Sequence, residues 1–253
     1  VDGLRLRLSG MTTANLNPHW FLSGYGAYGF KDHRWKYSGT LTYSFNKRDY
    51  VVWEFPKHFV SATYSYDVMS PMDKFLFTDK DNVFVSFKTT TVDQMSYMRD
   101  VAINYELETP TGFGVKSMLR HRNDEPTGNL KYWANNSSAD KMPLPNEKPI
   151  HDITTAEASV TLRYAPGEAF VNSKQRRIPV SLDAPIFTLT HTAGFKGVLG
   201  GEYNFNRTEA SIWKRVWLPS SWGKVDISLK GGAEWNTVPF PLLILPEANL
   251  SYI

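Results

Sequence analysis

Six histidines, His19, His33, His58, His121, His151 and His191, are the first residues to weigh for chemistry. Their spacing matches no metal-ligand pattern, so metal ligation is not expected of them. Thr78-Asp79-Lys80-Asp81-Asn82 faintly resembles a calcium loop, but it lacks the glycine and the distal glutamate that such a loop needs, and reads as a polar loop. Gly24-x-Gly26-x-x-Gly29 has the letters of a phosphate-cradling loop. No helix follows it, so the helix N-terminus that would hold the phosphate is missing. No serine sits in a nucleophile-elbow motif. Cysteine is absent, which excludes disulfides, thiolate metal sites and a catalytic thiol. The sequence therefore offers no catalytic residue, no metal site and no cofactor.

What remains is charge placed on one side of extended segments. Arg5, Arg7, Lys36, Lys116, Arg120, Lys224, Asp226, Lys230 and Glu234 all fall on the polar parity of alternating runs. In an extended chain successive side chains point to opposite faces. Such charges suit a water-filled interior, so these nine are the candidate lumen-lining residues. As a group they would either line a pore or contact a plug, or simply hydrate an inner wall, and the last is the preferred reading.

The elements that carry them are strands. Trp35 to Phe45 places Trp35, Tyr37, Gly39, Leu41, Tyr43 and Phe45 on one face and Lys36, Ser38, Thr40, Thr42 and Ser44 on the other. A soluble strand usually runs about five or six residues, whereas one crossing an outer membrane needs about nine to eleven, apolar toward lipid, polar toward a lumen and ringed near its ends. The pattern recurs from Gly3 to Thr13, His58 to Val68, Phe75 to Lys88, Arg99 to Leu107, Phe113 to His121, Thr155 to Tyr164 and Lys224 to Trp235, and Ile186 to Thr192 reads as a mixed strand. Trp20 to Phe30 is apolar with three glycines, which predicts a bend, a bulge or a close backbone approach. Tyr203 to Trp217 has unclean parity, as a bulge would cause. Asn123 to Pro149 reads as the longest loop, Lys174 to Arg177 as a basic cluster on another, and Leu242 to Ile253 as the start of a further strand. No apolar spacing of three and four is sustained, so no helix competes. Roughly a dozen strands result, joined by alternating short turns and long loops.

Composition agrees. The 253 residues suffice for one large all-β domain, aromatic residues make up 14% and the net charge is only +3. No basic block points to nucleic acid. No apolar run is long enough for a membrane-spanning helix. The expected fold is all-β, an antiparallel transmembrane outer-membrane β-barrel formed by residues 1–253 as a single domain, with outer-membrane lipid as its surroundings. A soluble all-β binding protein or enzyme is the competing class.

Val1 to Gly39, Phe55 to Asn82, Leu162 to Phe170 and the closing LPEANLSYI carry a resemblance. They are similar to a Bacteroidetes-type outer-membrane family of unknown function, in which a carboxypeptidase-like regulatory domain precedes a C-terminal barrel of the BamA-like surface-antigen kind. Gly24 to Gly29 is the most specific part. The resemblance implies an outer-membrane location, contacts with other outer-membrane or periplasmic proteins, and a non-enzymatic structural, assembly or export role, with a passive or ligand-selective channel as the alternative. Members of that family are longer at both ends, so the chain is expected to be an incomplete portion of a larger barrel.

Overall fold

The computed structural model describes residues 3–69, 94–133, 149–174 and 176–244. Ten strands form one antiparallel sheet: β1 (Arg5–Met11), β2 (Trp20–Gly29), β3 (Trp35–Ser44), β4 (His58–Met69), β5 (Gln94–Glu108), β6 (Phe113–Gly128), β7 (Ile153–Tyr164), β10 (Ile186–Gly194), β11 (Phe205–Trp217) and β12 (Lys224–Glu234). Each pairs with the next in chain order; between β7 and β10 lies a separate hairpin of β8 (Phe170–Asn172) and β9 (Arg177–Pro179). Among the described residues β1 and β12 each pair on one side only, so the sheet is open and no closed barrel is present. The near rim, where β1 begins, carries the connections through 30–34 and 195–204, both fully described. The far rim carries those through 12–19, 45–57, 109–112, 165–185 and 218–223. Short and long connections occur on both rims, so the expected clean alternation is only partial.

The strands form where parity is cleanest because each presents one uniform face. Register fixes which residues share it. Leu22, Leu41, Ala62, Ile103, Leu119, Ala158 and Ala193 lie opposite one another across seven strands. On the other face Arg7, Ala27 and Lys36 align, as do Glu106, Lys116 and Thr161. The sheet curls toward this polar face. Three strand spacings put β1 and β4 about 14 Å apart in a flat sheet, too far for an arginine and an aspartate to meet. Yet Arg5 Nη2 donates to Asp67 Oδ2 at 2.8 Å.

Several expectations change. The β1–β2 ladder runs unbroken through Gly24, Gly26 and Gly29, and the β2–β3 ladder through Gly24 and Gly26, so there is no bulge. The third possibility holds instead at Gly24, where a Cβ would stand 2.4 Å from the Ser38 carbonyl oxygen. β11 has no bulge in either ladder. Its parity looks mixed because Trp213 and Trp217 join the polar face beside Arg215, whose guanidinium lies 5.5 Å and 5.7 Å from their rings. Asn123 to Gly128 is not loop but the end of β6, paired with β5. Phe240–Leu242 is a 3₁₀ turn; residues 245–253 of the strand expected from Leu242 to Ile253 lie outside the described residues. The expected strand from Phe75 to Lys88 and the Thr78–Asn82 loop lie outside the described residues.

Candidate functional site

The polar face holds all nine predicted residues, spread from β1 to β12 rather than gathered at one point. At the β1 side, Asp67 accepts from Arg5 and from the Tyr25 hydroxyl, while the Arg7 guanidinium stacks 3.7 Å from the Tyr25 ring centroid. Lys36 is wholly buried and paired with Asp32 from the 30–34 turn. Burial alone would raise the Asp32 carboxyl. Hydrogen bonds from Lys36 Nζ, the Tyr97 hydroxyl and the Arg34 amide outweigh it and hold the pKa at about 2.

In the middle of the sheet Arg120 grips Asp100 through two parallel bonds of 2.7 and 2.8 Å. Lys116 lies 3.4 Å from Glu106, which Lys57 also reaches at 2.9 Å. Arg207 lies 3.8 Å from Glu157, and Glu157 accepts from Thr155 Oγ1 at 2.8 Å. At the far side Arg215 holds Asp226 at 2.6 and 2.8 Å, with Lys224 at 3.6 Å. Lys230 faces Ser211 and Glu234 faces Arg207 by register. Asp67, Asp100, Glu106, Glu157 and Arg207 are the partners that reasoning on the sequence left out. Their signal was present, since each sits on the polar parity of its strand; Asp100–Arg120 and Glu106–Lys116 need only the register of neighbouring strands, whereas Arg5–Asp67 and Arg207–Glu157 join strands that are not neighbours.

The chemistry of this face is mutual neutralisation. Most of its charges pair with one another, while among the described residues Arg122 Nε and both Glu234 carboxylate oxygens are buried without a hydrogen-bond partner, and no three His, Asp or Glu side chains converge as a metal cage. The histidines stay dispersed: His19 bonds the Ser44 carbonyl, His121 the Leu199 carbonyl and His191 the Thr208 hydroxyl. Lys174 and Arg176 fall at the β8–β9 turn, while Arg177 reaches back to Glu108 at 2.7 Å.

The opposite face is its inverse. Leu8 is 83% exposed, Leu119 60% and Leu229 62%, whereas Lys36, Asp124 and Glu157 on the polar face are buried. Two bands of rings bound the apolar face. Along the far rim run Trp20, Tyr43, Phe45, His58 and Tyr105, with neighbouring centroids 4.5–5.9 Å apart. Phe113, Tyr164 and Phe187 continue that band by register. Near the other rim stand Phe30, Tyr28, Trp35, Tyr37, Tyr64 and Tyr66. Between the bands on β2–β4 no Asp, Glu, Lys or Arg occupies this face; on other strands Arg99, opposite Tyr66, Glu125, opposite Tyr97, and Lys214, opposite Ile227, share its parity. From Trp20 to Tyr28 is about 26 Å of strand at roughly 3.3 Å per residue.

Residues 1–238 match the family described as "Family of unknown function (DUF5686) C-terminal domain". No curated protein and no solved structure matches the chain.

Proposed function

The chain belongs to this family of unknown function, and from that premise we propose that it is part of the wall of an outer-membrane β-barrel. In this reading it is non-enzymatic and acts in a structural, assembly or export role through contacts with outer-membrane or periplasmic proteins. One observation carries the reading: the sheet is inside out, with large apolar residues exposed and charged residues buried. Water-soluble proteins rarely leave contiguous apolar patches beyond a few hundred Å². Here the apolar face extends across the sheet, bounded by rings from β2 to β10 along the far rim and from β2 to β4 along the near rim. A bilayer covers such a face whole; a protein partner would cover one side of it. With strands tilted by about 40°, the 26 Å path spans about 20 Å of membrane normal, and the rings extend it toward the roughly 25 Å band of outer-membrane barrels.

The resemblance to BamA-like barrels that follow a carboxypeptidase-like domain points the same way for location and role. The polar face also supports a second reading, a passive or ligand-selective channel, with Arg5, Arg7, Lys36, Lys116, Arg120, Lys224, Asp226, Lys230 and Glu234 toward its lumen. Steady conductance in planar bilayers that changes selectivity on charge reversal at Lys116 favours the channel; a nearly silent protein whose depletion lowers the levels of other barrels favours assembly. The membrane reading itself is tested with nitroxides at Leu41 and Thr40. Oxygen should relax the Leu41 label more strongly, and a water-soluble nickel chelate the Thr40 label. Equal access of both relaxants to both sites overturns it.

A further inference from the structure

The only hydrophobic core found among the described residues lies on the polar side of the sheet, which an inside-out wall does not require. Tyr132, Ile153, Phe205, Val238 and Leu242 form it, each no more than 3% exposed. Ile153 and Phe205 belong to the polar face by register, opposite Asp124 and Gly194. Val238 and Leu242 come from residues 236–244, which follow β12. That segment turns inward at Asn236, whose side-chain oxygen accepts from the Asn206 amide at 2.8 Å.

Two glycines make the seat. A Cβ on Gly194 would stand 2.1 Å from the Phe205 ring, and one on Gly232 would stand 3.0 Å from Ile244 Cδ1. Both glycines sit on the polar parity of their strands, where the neighbouring positions carry Thr192, Lys230 and Glu234. The polar face has therefore been hollowed at two points, and apolar side chains fill the hollows. Charged residues, Glu157, Arg207 and Glu234, lie just beyond the cluster along the same strands.

We propose that residues 236–244 are an intrinsic plug: an apolar strap seated on Gly232 and on the Phe205 cluster, whose ring Gly194 makes room for, that closes the inner side of the wall at the near rim. The proposal rests on the barrel reading above. A constriction lined by apolar groups blocks ions by excluding water even where it is not sterically sealed. The strap thus favours the assembly or export role over a standing channel and supplies the element that would move if the lumen opens.

The test uses the intact protein reconstituted in planar bilayers and vesicles. The wild type should be closed for nearly all of the record. In Val238→Asp with Leu242→Asp, an unpaired carboxylate in the apolar cluster costs well over one decade in equilibrium constant, so the open fraction should rise at least about tenfold. Because the chain has no native cysteine, Leu242→Cys reports seating directly. A water-soluble maleimide should label it at least about a hundredfold more slowly than Ser228→Cys, exposed on β12, if the strap opens only rarely. A folded, inserted double variant as silent as the wild type overturns the proposal. So does fast labelling of Leu242→Cys, which decides the matter if the double variant fails to insert. A wild type that never enters lipid removes the barrel reading instead, and slow labelling would then still place the strap in its seat.

Discussion

Leu119→Arg separates a membrane wall from a soluble sheet. Leu119 lies on the apolar face of β6, 60% exposed, between Ile103 and Ala158. If that face meets water, the exchange of one exposed side chain for another should change stability by no more than about 0.5 kcal/mol. If it meets lipid, depth sets the cost. Six residues separate Leu119 from Phe113 in the far-rim band, about 20 Å of strand at roughly 3.3 Å per residue. At a tilt of about 40° this is about 15 Å of depth, close to the middle of a roughly 25 Å apolar band. An arginine there costs about 2–4 kcal/mol, a factor of roughly 30 to 700 in the folding constant. Val115→Arg, two residues from Phe113 and therefore shallower, should cost less, about 1 kcal/mol. The assay is urea unfolding of the reconstituted protein followed by tryptophan fluorescence, with heat-modified migration as an independent probe of the folded barrel. Equal midpoints for Leu119→Arg, Val115→Arg and wild type would refute the reasoning, because no bilayer is indifferent to depth.

Three further outcomes follow from particular contacts. Gly24→Ala should destabilise by about 1–3 kcal/mol, because its Cβ would fall 2.4 Å from a backbone carbonyl oxygen, while Gly26→Ala, with open space around it, should stay within about 0.5 kcal/mol; equal effects in chemical denaturation would contradict the packing. Asp100→Ala strips Arg120 of its bidentate partner and leaves it beside Arg122, so it should cost about 2–4 kcal/mol, with partial recovery in Asp100→Ala/Arg120→Met; a neutral single variant would show the pair to be idle. Asp32, held at about 2 against an ordinary value near 3.9, stabilises the fold fully above about pH 5, and this contribution is lost as pH falls toward 2. The stability difference between wild type and Asp32→Asn should therefore be constant from pH 5 to 7 and shrink below pH 4, and a difference that grows on acidification would reverse the sign.

How much of this was legible in the sequence follows from the range of each effect. Face assignment needs only parity, a property of the strand itself. Trp35 to Phe45 therefore declares both faces before any partner strand is known, and the polar residues of β4, β6 and β7 come out on one side together. The ends of β6 were hidden because Arg122, Asp124 and Pro126 look like loop composition; only pairing with Asp100, Met98 and Ser96 holds them extended. The mixed parity of β11 came from rings whose partner is a cation on their own strand. The strap over Gly232 and the Phe205 ring beside Gly194 could not be read at all. Two glycines say that space is needed, not which distant segment fills it.

Burial explains why so much of the polar face is paired. A lysine buried as completely as Lys36 is tolerated only when a counter-charge accompanies it; the adjoining turn supplies Asp32 for Lys36, and the curl supplies Asp67 for Arg5. The apolar face has no comparable internal remedy: nothing in the described chain covers Leu8, Leu119 or Leu229. Charge pairing within the protein offsets most of the cost of the polar face, whereas exposure of the apolar face is relieved only from outside the described chain. The proposed bilayer would supply that relief whether the enclosed side conducts, assembles or stays closed behind residues 236–244.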